Sequence, residues 1–400
     1  MSLNDTPRPD RLHIGIFGRR NSGKSSLINR LTGQDIALVS DAPGTTTDPV
    51  YKSMELHPIG PVVFIDTAGF DDEGELGELR IQRTCQVMDE IDVAILVVDA
   101  SCSNVSDAIE ECIGKLENRD IPKILVLNKI DEVCEGNEAC SVGVLGMRTT
   151  GVSALTGEGI DELRQAISDS VPEDYMRRRI LGNMVDEGTL VLLVMPQDIQ
   201  APKGRLILPQ VQTIRELLDR HCTTVATTAD GFIKAIECLN RDPELIVTDS
   251  QCFRMVYDNK PDSSKLTSFS VLFAAYKGDI NTFVEGASAI DNLTEDSRVL
   301  IAEACTHVPL QEDIGTVKIP RLLRAKVGEN LTIVNVKGND FPEEDLKSYD
   351  LIIHCGACMF NRAHVMNRID RAKAPGVAIT NYGVAIAKLS GIICNISLPC

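Results

Sequence analysis

A glycine-rich loop of sequence GRRNSGKS occupies residues 18–25, between a strand-like apolar run and an amphipathic helical stretch. A strand, such a loop and a helix in this order form a cradle in which backbone N–H groups at a helix N-terminus surround phosphate oxygens. Lys24 adds a positive charge for the terminal phosphates, and Ser25 offers a hydroxyl to Mg²⁺. The first part of the chain is therefore expected to form a parallel sheet flanked by helices.

The spacing of apolar residues supports this expectation as far as about residue 171. Strand-like runs alternate there with helical stretches, and the runs lie at residues 12–17, 62–65, 93–98 and 123–127. Such alternation is typical of a mostly parallel α/β sheet. A charged stretch at residues 172–179 then breaks the pattern and indicates a linker. We predict three domains, with bounds at residues 1–173, 174–263 and 264–400.

The α/β alternation continues behind the first boundary. The middle domain contains no constellation of reactive groups, so we expect a scaffold or subunit-contact domain. Its predicted strands and helices are residues 189–195, 223–228 and 245–248 (strands) and residues 211–219 and 232–239 (helices). In the last domain we predict strands at residues 269–274, 299–304, 331–336 and 351–353.

Charge and composition restrict the classes of partner. The net charge of −18 argues against an extended nucleic-acid footprint, which needs a basic face, and Trp is absent as a base-stacking platform. The 13 Cys form an odd count spread through apparent helices and strands, which indicates a reducing compartment. The longest apolar runs have strand length and fall short of a membrane span of roughly 20 residues. We expect a cytoplasmic protein with no membrane and no nucleic-acid partner.

Three further motifs follow the phosphate loop, and the first ends a predicted strand. In the sequence Asp66-Thr67-Ala68-Gly69, the carboxylate of Asp66 is placed to hold Mg²⁺ through water, and Gly69 can turn its N–H toward the γ-phosphate. Both residues are therefore predicted to take part in nucleotide binding and hydrolysis.

The other two motifs concern the base. Asn128 and Lys129 end a predicted strand, and two residues later the Asp131 carboxylate can accept both N1–H and the exocyclic amine of guanine. Adenine does not offer this pair of donors. Ser153 and Ala154 follow at the distance needed to close over the base. Four motifs in this order predict specificity for GTP.

These motifs resemble those of GTPases of the Era and MnmE type. By that resemblance residues 43–48 are the first switch, and Thr46 binds Mg²⁺ in the GTP state. Phe70 stands where many GTPases carry a water-positioning Gln, so another group has to assist hydrolysis. The resemblance implies that Asn21 holds a K⁺ ion, which can neutralise developing charge.

These motifs give two sets of residues predicted to act on the nucleotide and its cations. The set expected to act in catalysis is Lys24, Asn21, Thr46, Asp66 and Gly69. The set expected to bind GTP, Mg²⁺ and K⁺ is Gly18, Asn21, Ser22, Gly23, Lys24, Ser25, Ser26, Thr46, Asp66, Gly69, Asn128, Lys129, Asp131, Ser153 and Ala154.

A second constellation lies near the C-terminus, in the motifs Cys305-Thr306-His307 and His354-Cys355-Gly356-Ala357-Cys358. Each motif follows a predicted strand, and parallel strands would bring both motifs to the same carboxyl edge, where open α/β sheets bind ligands. Three thiolates suit an iron–sulfur cluster with one iron left for an exchangeable ligand. They also suit a Cys₃His zinc site, and Cys-x-x-Cys alone could be a redox pair.

The two cysteine motifs downstream of such a GTPase resemble those of the HydF family, the GTPases that mature [FeFe]-hydrogenase. The resemblance implies a [4Fe–4S] cluster on Cys305, Cys355 and Cys358, with His307 and His354 as a possible fourth ligand or as neighbours of the ligands. It also implies a middle dimerization domain and a homodimer that carries the diiron subcluster precursor. Expected partners are the other maturation enzymes and the apo-hydrogenase.

Two other functions are compatible with the same motifs. One is a GTPase with a purely structural zinc module, and the other is a cluster-containing RNA-modification enzyme. The acidic charge and the lack of a Cys-x₃-Cys-x₂-Cys radical motif argue against the second. By resemblance, the predicted fold is an α/β P-loop GTPase domain followed by an α/β dimerization domain and an α/β iron–sulfur domain.

Overall fold

The structure is a computed structural model, and its description covers most of the chain. The described residues are 6–33, 49–69, 83–100, 113–114, 121–133, 147–196, 206–304, 313–338, 340–342, 345–357 and 359–399. The chain divides into two compact units, Met1–Arg177 and Arg178–Cys400. Several predicted site residues lie outside the described residues, namely Thr46 with the rest of residues 43–48, Phe70, Cys305, His307 and Cys358.

The first unit contains a six-stranded sheet with the strand order β2-β3-β1-β4-β5-β6. All neighbouring strands are parallel except β2 and β3, which are antiparallel. Its strands are β1 (Leu12–Phe17), β2 (Val50–Leu56), β3 (Gly60–Asp66), β4 (Val93–Asp99), β5 (Lys123–Asn128) and β6 (Arg148–Gly151). Its helices include α1 (Lys24–Thr32), α2 (Ile160–Asp169) and α3 (Glu173–Arg177).

Both faces of this sheet are buried, which explains the continuous apolar runs of its central strands. All six residues of β1 are buried, and Ile14 and Ile16 pack with Leu27 of α1 in one core. On the opposite face Phe17 packs in a second core. The parallel arrangement brings the residues that follow β1, β3 and β5 to one edge of the sheet, where open α/β sheets bind ligands.

The second unit contains two four-stranded sheets, each wholly parallel. The first has the order β10-β9-β7-β8, with β7 (Leu190–Val194), β8 (Thr223–Thr227), β9 (Leu245–Thr248) and β10 (Lys265–Ser268). The second has the order β12-β11-β13-β14, with β11 (Arg298–Glu303), β12 (Thr332–Lys337), β13 (Leu351–His354) and β14 (Ala378–Asn381). The described helices are α4 (Leu208–Asp219), α5 (Phe232–Cys238), α6 (Phe253–Asn259), α7 (Phe269–Lys277), α8 (Ile280–Ala287), α9 (Ile319–Val327), α10 (Arg362–Lys373) and α11 (Tyr382–Leu389).

The strand predicted at residues 269–274 is wrong, because these residues form the first part of helix α7. The Ser268 hydroxyl accepts a hydrogen bond from Val271 N at 3.3 Å and caps the helix. Leu272 and Phe273 pack into the core beside β7 and β9, while Val271 packs into the core beside β11. A helix buried on two sides is apolar all round, so its sequence shows no helical period.

Strands β11 and β13 are neighbours in the last sheet, and Ala302 is in register with His354. Since the strands are parallel, the residues that follow them leave at the same carboxyl edge, as the sequence predicted. Among the described residues, no helix is long and apolar enough to cross a membrane.

Candidate functional site

The phosphate loop connects β1 to α1 and needs unusual backbone angles. Gly23 precedes the helix at φ 89°, in the left-handed region, and Gly18 has a φ of 152°. A Cβ at Gly18 would lie 2.3 Å from Val97 O, so no side chain fits there. Asn21 takes a φ of 59°, which Asn tolerates better than most residues. The two glycines and Asn21 therefore shape the loop that the sequence predicted.

Lys24 lies at the start of α1 with its ammonium group turned back into this loop. Its Nζ donates hydrogen bonds to the carbonyl oxygens of Gly18 at 3.0 Å and Arg19 at 2.8 Å, and the residue is 9% exposed. The Ser22 hydroxyl is buried nearby and has no hydrogen-bond partner among the described residues. A buried cation and an unsatisfied hydroxyl in a loop of backbone N–H groups fit a phosphate ligand.

Ser25 and Asp66 meet where the predicted Mg²⁺ site lies. Ser25 Oγ donates to Asp66 Oδ2 at 2.6 Å, while the buried Asp66 Oδ1 has no hydrogen-bond partner in the described part of the chain. Burial raises the pKa of the Asp66 carboxyl, and the Ser25 hydrogen bond and the Lys24 charge oppose this shift. A hydroxyl, a carboxylate and a free carboxylate lone pair are hard oxygen donors that suit Mg²⁺.

Asn128 connects the phosphate loop to the predicted base-covering loop. Its Nδ2 donates to Ser22 O at 2.9 Å, and its Oδ1 accepts from Ala154 N at 3.1 Å. Lys129 follows at a φ of 65°, and its Nζ lies 2.5 Å from Asp99 Oδ2. Asn128 therefore supports both loops.

Asp131 and Ser153 belong to the two loops in which the base site is predicted. Asp131 is exposed in a short 3₁₀ turn, Ile130–Glu132, so its carboxylate is open to solvent. Ser153 is buried, and its Oγ accepts from Thr156 N at 3.0 Å, which closes a tight turn. Arg30 of α1 donates to Thr156 O and ties this turn to the helix. Sequence reasoning missed Arg30, because a lone surface arginine carries no motif.

Cys355 is the described cysteine of the second constellation. Its Sγ accepts hydrogen bonds from Ala304 N at 3.0 Å and from Ala357 N at 3.4 Å. Ala357 takes a φ of 52°, which turns its N–H toward the sulfur. Two backbone N–H donors stabilise a thiolate, the form of cysteine that binds metals. Ala304, which directly precedes Cys305 in the sequence, thus lies next to Cys355.

His354 is buried and engages both of its ring nitrogens within the protein. Nδ1 lies 2.9 Å from Cys355 O, and Nε2 lies 3.0 Å from an Nη atom of Arg368, while the residue is 1% exposed. Arg368 donates to Nε2, so the proton lies on Nδ1 and is donated to the Cys355 carbonyl. Burial, with the Arg368 charge, lowers the pKa of His354 to about 3. This neutral imidazole holds the Cys355 backbone, which favours the neighbouring role over the ligand role.

Tyr382 and Glu303 form a polar pair at the same sheet edge. The Tyr382 hydroxyl donates to Glu303 Oε1 at 3.0 Å, and Glu303 is buried at the end of β11. Burial, followed by the charges of Cys355 and Glu303, raises the pKa of Tyr382 far above its usual value. Neither residue was singled out from the sequence, since their meeting depends on the sheet order.

Of the predicted metal ligands, His354 and Cys355 lie among the described residues. Within the described residues, which leave out Cys305, His307 and Cys358, no group of three His, Cys, Asp or Glu side chains is placed to hold a metal ion. The two N–H donors on the Cys355 sulfur fit a thiolate ligand of an iron–sulfur cluster or of zinc. The remaining ligands stay predictions.

Comparisons with known protein families match all three parts of the chain. Residues 13–129 match the 50S ribosome-binding GTPase model, residues 180–278 match the hydrogen maturase F dimerization domain, and residues 281–397 match the hydrogen maturase F tetramerization domain. The chain belongs to the hydrogen maturase F family. This result confirms the predicted kinship and the P-loop GTPase domain.

The relatives that the chain resembles include GTPases. A tRNA modification GTPase MnmE of Legionella pneumophila is 33% identical over 214 residues, which are 52% of this chain and 46% of that protein. GTPase Era of Carboxydothermus hydrogenoformans is 32% identical over 197 residues, which are 45% of this chain and 65% of that protein. The chain thus spans between about a third and a half of the length of the MnmE relatives it matches. The solved structure of Aquifex aeolicus Era is 20% identical over 54% of this chain and 92% of that chain, with a TM-score of 0.37.

Proposed function

We infer that this hydrogen maturase F protein is a GTP-hydrolysing scaffold that carries a [4Fe–4S] cluster and delivers a diiron precursor to [FeFe]-hydrogenase. One observation carries the proposal: the chain joins a GTPase domain to both hydrogen maturase F domains, and Cys355 lies in a thiolate-stabilising turn inside the last of them. An acidic chain of net charge −18 supports protein partners over nucleic acid.

Nucleotide binding would begin with an exchange of partners at Lys24. Its ammonium group donates to the carbonyls of Gly18 and Arg19, and phosphate oxygens would take over these hydrogen bonds. Ser22, Gly23 and Ser26 line the same helix N-terminus, whose N–H groups favour negative charge. Ser25 would turn from Asp66 to Mg²⁺, which leaves Asp66 to hold the ion through water.

Recognition of guanine would rest on Asp131. Its exposed carboxylate is free to accept two hydrogen bonds from the base edge, while Asn128 fixes the phosphate loop relative to the loop of Ser153 and Ala154. Lys129, which lies between Asn128 and Asp131, forms an ion pair with Asp99. The base would thus be read by one carboxylate in a prearranged frame.

Hydrolysis would depend on positioned charge. Thr46 is expected to bind Mg²⁺ and Gly69 to turn its N–H toward the γ-phosphate, while Phe70 offers no amide to hold the attacking water. Asn21 would place a K⁺ ion beside the phosphates, where the cation offsets the charge that develops in the transition state. We therefore expect slow hydrolysis that K⁺ stimulates.

In the last domain Cys305, Cys355 and Cys358 would hold the cluster. A bound [4Fe–4S] cluster supplies an iron at its open corner that can take an exchangeable ligand. Ala304 N and Ala357 N donate hydrogen bonds that would stabilise a Cys355 thiolate, and His354 holds the carbonyl of that residue. His307 remains the candidate for the fourth ligand.

The domain plan and the partners belong to the same proposal. We assign GTP binding to residues 1–173, dimerization to residues 174–263 and cluster binding to residues 264–400. The family descriptions of dimerization and tetramerization domains support self-association. The proposed partners are the other maturation enzymes and the apo-hydrogenase, and the proposed location is the cytoplasm.

Anaerobic purification with metal analysis and hydrolysis assays tests this function against its alternatives. We expect equal amounts of iron and sulfide, with absorption and EPR spectra of a [4Fe–4S] cluster, and hydrolysis of GTP but not ATP that is faster in K⁺ than in Na⁺. Zinc without sulfide would support the structural zinc module instead. Hydrolysis of GTP and ATP at equal rates would contradict the proposed base site.

A further inference from the structure

Lys52 is a buried lysine in the middle of β2, and no motif accounts for it. The residue is 7% exposed, and its Nζ donates to Asn29 Oδ1 of α1 at 3.0 Å. Burying an ammonium group is costly unless nearby groups compensate its charge. The amide of Asn29 is neutral and supplies only part of that compensation. An anionic neighbour is therefore to be expected.

The register of the sheet identifies Asp66 as that neighbour. Strands β2 and β3 are antiparallel, with Val50 opposite Asp66 and Lys52 opposite Phe64. Directly opposed residues point to the same face, and so do residues two apart along one strand. Lys52 and Asp66 therefore share the face that packs against α1.

The pKa shifts of both Lys52 and Asp66 agree with this placement. The Asp66 charge opposes the effect of burial on the pKa of Lys52, and the Lys52 charge opposes the effect of burial on the pKa of Asp66. Lys24 acts on Asp66 in the same sense. The carboxylate of the Mg²⁺ site thus feels two fixed cations, one from the phosphate loop and one from the sheet.

We propose that Lys52 is an internal counter-ion for Asp66 that lowers the affinity of the nucleotide site for Mg²⁺. The inference rests on the proposed role of Ser25 and Asp66 in Mg²⁺ binding. A fixed positive charge repels the divalent ion when it binds and balances Asp66 when the ion leaves. The Mg²⁺-free state is therefore less costly, and bound GDP is released more readily.

A variant that removes the charge of Lys52 but keeps a side chain of similar volume tests this proposal. In Lys52→Met, release of fluorescent GDP is followed at pH 8 over a series of Mg²⁺ concentrations. The concentration that half-suppresses release should fall by about five- to thirtyfold relative to the native protein, because one repelling charge is gone. Lys52→Arg keeps the charge and should stay within about twofold of the native value. Lys123→Met, at the amino end of β5 and so at the end of the strands away from the phosphate loop, is the matched control and should not differ from the native protein.

A purely structural role predicts a different set of results. Asn29→Ala removes the hydrogen bond but keeps the charge, so the proposal expects a lower melting temperature with an unchanged Mg²⁺ dependence. If Asn29→Ala and Lys52→Met shift the Mg²⁺ dependence alike, or if Lys52→Met leaves it unchanged, the counter-ion role is wrong. Should Lys52→Met fail to fold, Lys52→Gln is measured in its place with the same expectations. If GDP release from the native protein does not depend on Mg²⁺, the proposed nucleotide site itself is contradicted. This outcome is distinct from a failure of the role proposed for Lys52.

Discussion

At the scale of single residues, the role of a motif residue depends on contacts with residues outside the motif. His354 belongs to a metal-binding motif by its position before Cys355, yet Arg368 and the Cys355 carbonyl occupy its two nitrogens. Asp131, in contrast, is exposed and keeps its carboxylate available. Substitutions at these two positions are therefore expected to act in different ways.

Asp131→Asn should change the nucleotide specificity of the protein. An amide supplies one acceptor and one donor, so it mismatches guanine and matches xanthine. We expect GTP affinity to fall by at least about a hundredfold, since the site loses one hydrogen bond and gains an unpaired donor. Competition titrations with GTP and xanthosine triphosphate measure this change. Unaltered GTP affinity would remove Asp131 from the base site.

His354→Asn should lower stability and leave iron content intact. Asparagine fills less volume and leaves the Arg368 guanidinium without its imidazole acceptor, which should cost about 2–4 kcal/mol of unfolding free energy. Denaturation curves and iron analysis of the same preparations check both parts. The control His221→Asn is exposed, and its φ of 54° suits Asn, so it should leave both quantities unchanged. Loss of iron in His354→Asn alone would restore the ligand role.

At the scale of elements, single side chains hold loops against helices. In the first unit Arg30 of α1 fixes the turn at Thr156, where a Cβ at Gly157 would lie 2.2 Å from the guanidinium. In the second unit Glu216 of α4 accepts hydrogen bonds from Ile180 N at 2.6 Å and Leu181 N at 3.0 Å. Both contacts join segments far apart in sequence.

Arg30→Ala should weaken nucleotide binding through the base-covering turn. Without the hydrogen bond to Thr156 the turn gains freedom that binding must then remove, so GDP should dissociate about three- to tenfold faster. Stopped-flow release of fluorescent GDP measures this rate. Arg148→Ala, which removes an exposed ion pair with Asp169, is the control and should not differ from the native protein. Equal release rates in all three proteins would show that Arg30 does not support the base site.

Glu216→Gln should destabilise the second unit. The charged carboxylate accepts hydrogen bonds from both backbone N–H groups, whereas the amide of Gln offers one oxygen and an NH₂ group that cannot accept. The free energy of unfolding should therefore fall by about 1–3 kcal/mol. Urea denaturation of the full chain, followed by a probe in the second unit, measures the loss. Glu237→Gln, on the exposed side of α5, should be neutral. A loss of similar size in both variants would mean that the effect is one of net charge.

At the scale of the whole molecule, the proposed nucleotide and cluster residues lie in different compact units. The phosphate loop belongs to Met1–Arg177, and Cys355 belongs to Arg178–Cys400. Each unit has buried cores of its own, so the folding of one does not supply the core of the other. The two chemical functions should therefore be separable by mutation.

Lys24→Ala should abolish tight GTP binding and impair hydrogenase maturation while iron content stays at the native level. Cys355→Ser should give the reverse, with GTP binding retained and iron lost, because Ser is a poor ligand for iron in such clusters. Nucleotide titration, iron analysis and a maturation assay on both variants check the expectation. Loss of iron in Lys24→Ala would mean that the two units depend on each other.

The sequence by itself determined the motifs and most of the sheet. Strands such as Leu12–Phe17 and Leu245–Thr248 were predicted to the residue, because parallel strands buried on both faces are continuous apolar runs. The phosphate loop was equally clear, since Gly18 and Gly23 occupy backbone positions that other residues rarely adopt. These features depend on local geometry, which the local sequence specifies.

Only the tertiary structure decided the rest. The helix Phe269–Lys277 resembles a strand because two cores bury it from opposite sides, and β2 was not predicted because its edge position gives it a mixed pattern. Arg368 reaches His354, and Lys52 joins Asn29 on the face of Asp66, through pairings of residues distant in the chain. A side chain's partners depend on which strands are neighbours and in which register. That information is absent from any short stretch of sequence and appears only when the sheets have formed.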